Sequence, residues 1–380
     1  MKVLVNALSI SEGGSLVVLE RLLAEMGVQR PDIEWHAVVH PAVARRSALP
    51  SSVKQWTFPS AAASPAHLFF WYEVTLPRLA RRVGADLLFS QTNYLPRRNV
   101  PCPTLLLVQH AGHFSPTFGR LMEQHLETRG AILAWRRKCA WVRKSVRVAD
   151  HLIVQTAALA KAIRADALLP AGRIDVVPHG PGLVSMRGRP PSPQRQGSLR
   201  VGYVSKFGVQ KDFATALRAH RLLLDRGLDV TLVLTLDPAV GGFAAIGDLI
   251  DELGLRDRVE NHGELAMQSL ESLYDSLDVF VFPSLCESFG FPLVEAMARG
   301  LPVVVSRTAS NLEVGGRDVP SFDAGDGRGL ADIVERLLRS AEQREAQALR
   351  SLDIARRFSW SRAAQGTLEV IARTAAKAPP

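Results

Sequence analysis

Residues 279–306 read VFVFPSLCESFGFPLVEAMARGLPVVVS. Val279–Pro283 is an apolar run of strand length, and SLCESFG is a loop ending in glycine. Pro292 suits the opening of a helix, where its missing N–H costs no hydrogen bond. The helix is predicted over Leu293–Arg299 and stops at Gly300, a residue fitted to the left-handed position beyond a helix end. Pro302–Ser306 is the next apolar strand. Strand, helix and strand in so short a span predict a βαβ unit and a parallel sheet covered on both faces. The loop places Glu287 before the helix and Glu295 in its first turn, with the amides of Phe289, Gly290 and Phe291 between them. Such amides suit an anion. The carboxylates suit sugar hydroxyls, which donate hydrogen bonds. Each acid also fits a plainer role, a solvated loop charge or a helix N-terminal acid.

The same alternation runs along the chain. Strands are expected at Val3–Asn6, Glu34–Val39, Leu87–Ser90, Thr104–Gln109, Leu152–Gln155 and Ile174–Val177, then at Leu199–Val204, Val230–Thr235 and Val259–His262. Helical patterns such as Val17–Met26, Ala214–Arg226 and Leu270–Ser276 lie between them. The alternation breaks at MRGRPPSPQRQGS, Met186–Ser198, which is polar and Pro-rich and reads as a linker. The expected architecture is therefore α/β. A Rossmann-like doubly wound domain over 1–186, a linker over 187–198 and a second such domain over 199–358 face a central cleft, with a final helix within 359–380.

Composition agrees with two globular domains. The chain has 380 residues, 47% hydrophobic and 22% charged, with a formal charge of +9 that favours anionic partners. Cys102, Cys139 and Cys286 are far apart and odd in number, without metal-ligand spacing, which points to a reducing compartment. MKVLVNALS opens on a strand rather than a signal peptide, and no apolar run reaches the ~18 residues of a membrane span. A cytoplasmic location is expected.

Open α/β sheets bind ligands beyond the carboxyl ends of their strands, so the loops there matter most. Gly13 and Gly14 precede a helix expected from about Ser15 and fit either an anion site or a capped turn. His110 ends the strand of LLLVQH and fits either substrate orientation or a structural role, with His113 the weaker candidate. Lys206 and Lys211, in VSKFGVQKDF, fit either a diphosphate or bulk solvent.

At this point the 279–306 stretch resembles the signature segment of glycosyltransferase family 4, the retaining group 1 glycosyltransferases of GT-B fold. Glu287, Phe289, Gly290, Pro292, Glu295, Ala296, Met297, Gly300 and Pro302 carry the resemblance. GGS near the start, VVPHG before the linker, YVSKFGVQKDF after it and FSWSRAA at Phe358–Ala364 add to it. The resemblance implies that Glu295 meets the ribose hydroxyls and Glu287 the transferred sugar. It implies that Lys206 and Lys211 hold the diphosphate, Gly13 and Gly14 approach the donor phosphate, and His110 meets the donor sugar. It departs from the family at Ser288, where glycine is usual, and at Ser205-Lys206, where Gly-Arg is usual.

The expected function is transfer of a hexose from a GDP- or UDP-sugar to a glycan or lipid-linked acceptor, in bacterial polysaccharide or lipopolysaccharide assembly. A nucleotide-sugar epimerase and a non-catalytic nucleotide-sugar binder are the alternatives. The sequence contains no Asp-x-Asp and no His/Cys cluster, so neither a metal nor another cofactor is expected. No nucleic-acid motif accompanies the basic charge. From Thr128 to Ala149 there is no acid but seven cations, interleaved with Trp135 and Trp141. Residues 129–147 thus fit an anionic membrane surface, or a solvated helix whose tryptophans pack inward.

Overall fold

The computed structural model describes residues 1–46, 49–97, 100–170, 172–182, 184–187, 197–239 and 241–376. The expected linker lies largely outside the described residues. The chain forms two compact units. The first comprises residues 1–115, 126–180 and 359–380; the second comprises 116–125 and 181–358. The boundary thus falls at Gly180–Pro181, and the helix Pro116–His125 joins the second unit.

The first unit holds a seven-stranded parallel sheet: β1 (Lys2–Ala7), β2 (Glu34–Val39), β3 (Lys54–Thr57), β4 (Leu87–Ser90), β5 (Thr104–Leu107), β6 (His151–Val154) and β7 (Ile174–Val176), in the order β3-β2-β1-β4-β5-β6-β7. The second holds a six-stranded one: β8 (Leu199–Tyr203), β9 (Val230–Leu234), β10 (Val259–Asn261), β11 (Val279–Phe282), β12 (Val303–Ser306) and β13 (Ser321–Phe322), in the order β10-β9-β8-β11-β12-β13. All pairings in both sheets are parallel. Helices cover both faces, which is why β4, β5, β6, β11 and β12 are buried along their whole length. Two Rossmann-like α/β units match the fold the sequence predicts.

Each sheet reverses its order once, between β1 and β4 and between β8 and β11. Connections leave in opposite directions there, and a crevice opens at the carboxyl ends. In the first unit this place is filled by a buried neutral network. Asn6 Nδ2 donates to Ser90 Oγ at 3.1 Å, and the Tyr72 and Thr92 hydroxyls lie 2.7 Å apart.

The last helix, Trp360–Ala375, belongs to the first unit. Gln29 Nε2 donates to Ser361 O at 2.9 Å and ties it to the helix Gly13–Gln29. His179 stacks on Trp360 at 5.5 Å, and a Cβ on Gly180 would lie 2.6 Å from the Trp360 amide nitrogen, so only glycine fits. Burial lowers the His179 pKa from 6.5 to about 3. Between those values the unfolded chain binds the proton and the folded chain does not, so stability falls as pH drops through that window. Denaturation of wild type and His179→Phe between pH 7 and pH 3.5 tests this. The wild type is expected to lose stability more steeply, by up to about 1.4 kcal/mol per pH unit for this one proton.

Candidate functional site

The expected site residues divide between the units. In the second unit, the β8 loop carries Lys206 and Lys211 and the β11 loop carries Glu287, so the two loops flank the point of strand reversal. They are sewn together by main chain. Lys211 and Ser284 form an isolated antiparallel bridge, and Leu285 N donates to Gln210 O at 2.9 Å. Lys211 Nζ donates to Glu287 Oε1 in an ion pair whose side chains are only 12% and 11% exposed. Ser284 Oγ donates to the same oxygen at 2.5 Å. The ammonium lies 5.1 Å over the Phe282 ring, an added attraction for a cation.

Ser284 is itself held from beneath. Its carbonyl accepts Asn311 Nδ2 at 3.0 Å and Ser306 Oγ at 2.5 Å, and Asn311 Nδ2 reaches Ser306 Oγ at 2.9 Å. Asp212, between Lys211 and the helix Phe213–Asp225, caps that helix by accepting Thr215 N at 3.1 Å. Lys206 is not part of this cluster. It is well exposed and its Nζ meets Glu264 at 2.6 Å, a surface pair of small net worth that a ligand displaces cheaply.

The helix after the loop spans Phe291–Ala298. Glu295 is therefore in its second turn, one turn deeper than expected, because the helix starts two residues earlier. Glu295 is 5% exposed, and its Oε2 accepts the Tyr274 hydroxyl at 2.9 Å. Gly290 precedes the helix with φ 85°, a conformation that favours glycine. Phe289 turns its ring into the core against Phe291 and Phe358, each at 5.4 Å, so only its main chain serves the loop.

In the first unit, Gly13 and Gly14 are exposed at the very start of their helix rather than before it. Gly13 has φ +68°, and Glu12 makes no side-chain cap there. The first amides of that helix are thus uncapped by a side chain, as an anion site requires. His110 caps a 3-10 turn, its Nδ1 accepting Gly112 N at 3.2 Å, which puts the ring proton of the neutral form on Nε2. His113 is buried, with Nδ1 3.5 Å from Cys139 Sγ and its ring stacked on Trp135 at 5.2 Å. Burial and then His110 lower its pKa to about 3, so it is a neutral core group.

The basic helix spans Arg129–Val148. Its tryptophans turn inward: Trp135 lies on His113, and Trp141 donates Nε1 to Leu95 O at 3.1 Å and packs on Tyr72 and Tyr94. The outward stripe carries Leu133, Arg136, Arg137, Lys144 and Arg147. Beside it, the helix Pro65–Phe70 exposes Phe69 and Phe70, with Phe69 6.3 Å from Trp141 and Arg97 over both rings. Exposed apolar groups on and beside the basic face thus include Leu133, Phe69 and Phe70. Among the described residues no helix is long and apolar enough to cross a membrane, and no group of three His, Cys, Asp or Glu could hold a metal ion.

Sequence reasoning missed Tyr274 and Ser284, and reads Gly182 only as part of the chain-reversing turn VVPHGPG. Tyr274 carried one usable signal: a tyrosine on the apolar face of a helix, in step with Leu270 and Leu273, needs a polar partner for its hydroxyl.

These two units have the GT-B architecture. HepE of Anabaena, solved with UDP-glucose, superposes with a TM-score of 0.72 at 21% identity over 98% of this chain and all of that one. WaaG, a glycosyltransferase involved in lipopolysaccharide biosynthesis, superposes with a TM-score of 0.71 at 14% identity over 98% and 99%. Residues 188–350 match the model of the glycosyl transferases group 1. An MMP alpha-(1->4)-mannosyltransferase of Mycolicibacterium hassiacum is 33% identical over 63% of this chain and 60% of its own length. A D-inositol 3-phosphate glycosyltransferase of Xylanimonas cellulosilytica is 31% identical over 54% and 53%. The chain thus spans between half and two-thirds of the length of these relatives.

Removing one member of a shielded ion pair leaves the other uncompensated. Lys211→Met is expected to destabilise by about 3–5 kcal/mol, and Lys211→Met with Glu287→Gln by less than the sum of the single variants. Equilibrium denaturation of the double-mutant cycle checks this, and strict additivity would count against the pair.

Proposed function

We propose that the protein is a retaining glycosyltransferase that moves a hexose from a nucleotide-diphosphate sugar to a glycan or lipid-linked acceptor, in polysaccharide or lipopolysaccharide assembly. The observation that carries this reading is the Lys211–Glu287 pair at the strand reversal of the second unit, fixed by Ser284. A diphosphate arriving there competes with Glu287 for the Lys211 ammonium and frees the carboxylate for the hydroxyls of the sugar. Lys206 releases Glu264 to add a second cation.

The bond from the anomeric carbon to the diphosphate oxygen lengthens first, giving an oxocarbenium-like state. The charge growing on the diphosphate meets Lys211, Lys206 and helix N-terminal amides. The acceptor hydroxyl attacks from the face the diphosphate is leaving. Its proton passes to the departing phosphate oxygen, and the new bond keeps the anomeric configuration. No step calls for a metal ion.

Glu287→Gln and Lys211→Ala are each expected to lower kcat/KM by about 10²–10³ with UDP- or GDP-hexose. Release of UDP or GDP, with and without acceptor, measures it. Wild-type rates in both variants would overturn the assignment.

A second reading concerns where the acceptor is met. The acid-free outward face of Arg129–Val148, beside exposed Phe69 and Phe70, suits an anionic lipid surface. Each basic group near such a surface contributes about 1 kcal/mol. Phe69→Ser/Phe70→Ser and Arg137→Glu/Lys144→Glu are each expected to weaken co-sedimentation with phosphatidylglycerol vesicles at least fivefold. Equal recovery with neutral phosphatidylcholine vesicles, or none with either, would overturn it.

A further inference from the structure

Glu295 is a carboxylate in an almost closed environment, and its direction is set by two residues with no assigned role. Tyr274, on the helix Met267–Asp275, is fully buried, and its hydroxyl donates to Oε2 at 2.9 Å. Burial first, and then the Glu295 charge, push its phenol pKa well above the usual value, so the group stays a donor. On the other side lies Gly182. A Cβ there would overlap Oε1 and stand 3.1 Å from Glu295 Cδ and 3.2 Å from Phe291 Cδ1. Gly182 does not have a positive φ, so its own backbone does not call for glycine. The space beside the carboxylate does.

Both residues sit on one braced frame. Ser185 N and Oγ donate to Glu271 Oε1 at 2.7 and 2.8 Å, on the Tyr274 helix. Arg299, one turn beyond Glu295, donates to both Asp275 oxygens at 2.9 and 2.6 Å and to Ser185 Oγ at 3.1 Å. Arg187 N donates to Ala298 O at 2.8 Å. The segment around Gly182, the Tyr274 helix and the Glu295 helix therefore hold their mutual spacing by charge-assisted hydrogen bonds.

We infer that Tyr274 and Gly182 are positioning residues for ribose recognition: Tyr274 fixes the rotamer of Glu295 and Gly182 leaves that rotamer room, so that the carboxylate accepts from the ribose hydroxyls of a nucleoside diphosphate. The inference rests on the reading of this site as a nucleotide-sugar site. It concerns hydroxyl recognition specifically, and so separates from a general structural role. A rotated carboxylate loses the ribose contact but leaves base and phosphate contacts untouched.

Dissociation constants measured by calorimetry for UDP, GDP and ADP, and for their 2′-deoxy and 3′-deoxy forms, test this on the full chain. Wild type is expected to lose tenfold or more when the contacted hydroxyl is absent, the range of a hydrogen bond to a charged group. Tyr274→Phe, which keeps the ring, and Gly182→Ala are each expected to bind the ribonucleotide tenfold or more weakly and the deoxy form within twofold of wild type. The discrimination then collapses. If either soluble variant weakens both forms alike, or keeps the wild-type ratio, the positioning role fails while the nucleotide site stands. If wild type itself ignores the hydroxyls, Glu295 does not meet ribose and the inference falls with that assignment. If wild type binds none of the three nucleotides, the functional reading fails and takes the inference with it.

Discussion

The second unit turns on one shared contact: Ser284 joins the β8 loop to the β11 loop, and Lys211 and Glu287 meet above it. Parallel strands deliver their loops to one edge, but nothing in the sheet forces neighbouring loops to touch. At the strand reversal the helices diverge, and the loops would stand apart. The Lys211–Ser284 bridge and the Leu285–Gln210 hydrogen bond close that gap with main chain. Two opposite charges then shield one another where either alone would be costly. Asn311 and Ser306 extend the bracing to β12, so three consecutive strand ends share one hydrogen-bond network.

The first unit solves the same topological problem with neutral groups. Asn6, Ser90, Thr92 and Tyr72 fill its strand reversal with buried amide and hydroxyl contacts. A neutral network is cheaper to bury and holds a shape. A charge pair can exchange partners with an ionic ligand. The same strand order about the reversal thus carries two chemistries, and the difference lies in the side chains at equivalent strand ends.

Strands that are buried on both faces were legible as apolar runs. Val279–Phe282 and Val303–Val305 could hardly be anything else. β3 and β13 were not, because each carries too little apolar sequence. Lys54–Thr57 is largely exposed and polar, and Ser321–Phe322 is two residues long, so neither carries the apolar signature. The helix holding Glu295 begins two residues before the expected start, because Gly290 in the left-handed region releases Phe291 and Pro292 into the helix. The basic helix was legible as basic. Which of its faces held the tryptophans was not, since that depends on His113, Leu95 and Tyr72 from other segments.

By itself the sequence determined the alternation of strands and helices, the loops carrying glycine and charge, and the family-like segment at 279–306. These are local properties, written in period, capping and turn chemistry over a few residues. The tertiary structure decided which charges meet. Lys211 and Glu287 are 76 positions apart, and Tyr274 reaches Glu295 from a different helix. Strand order brings such groups together, and strand order comes from packing helices on both faces of a twisted sheet, a constraint no short window of sequence contains.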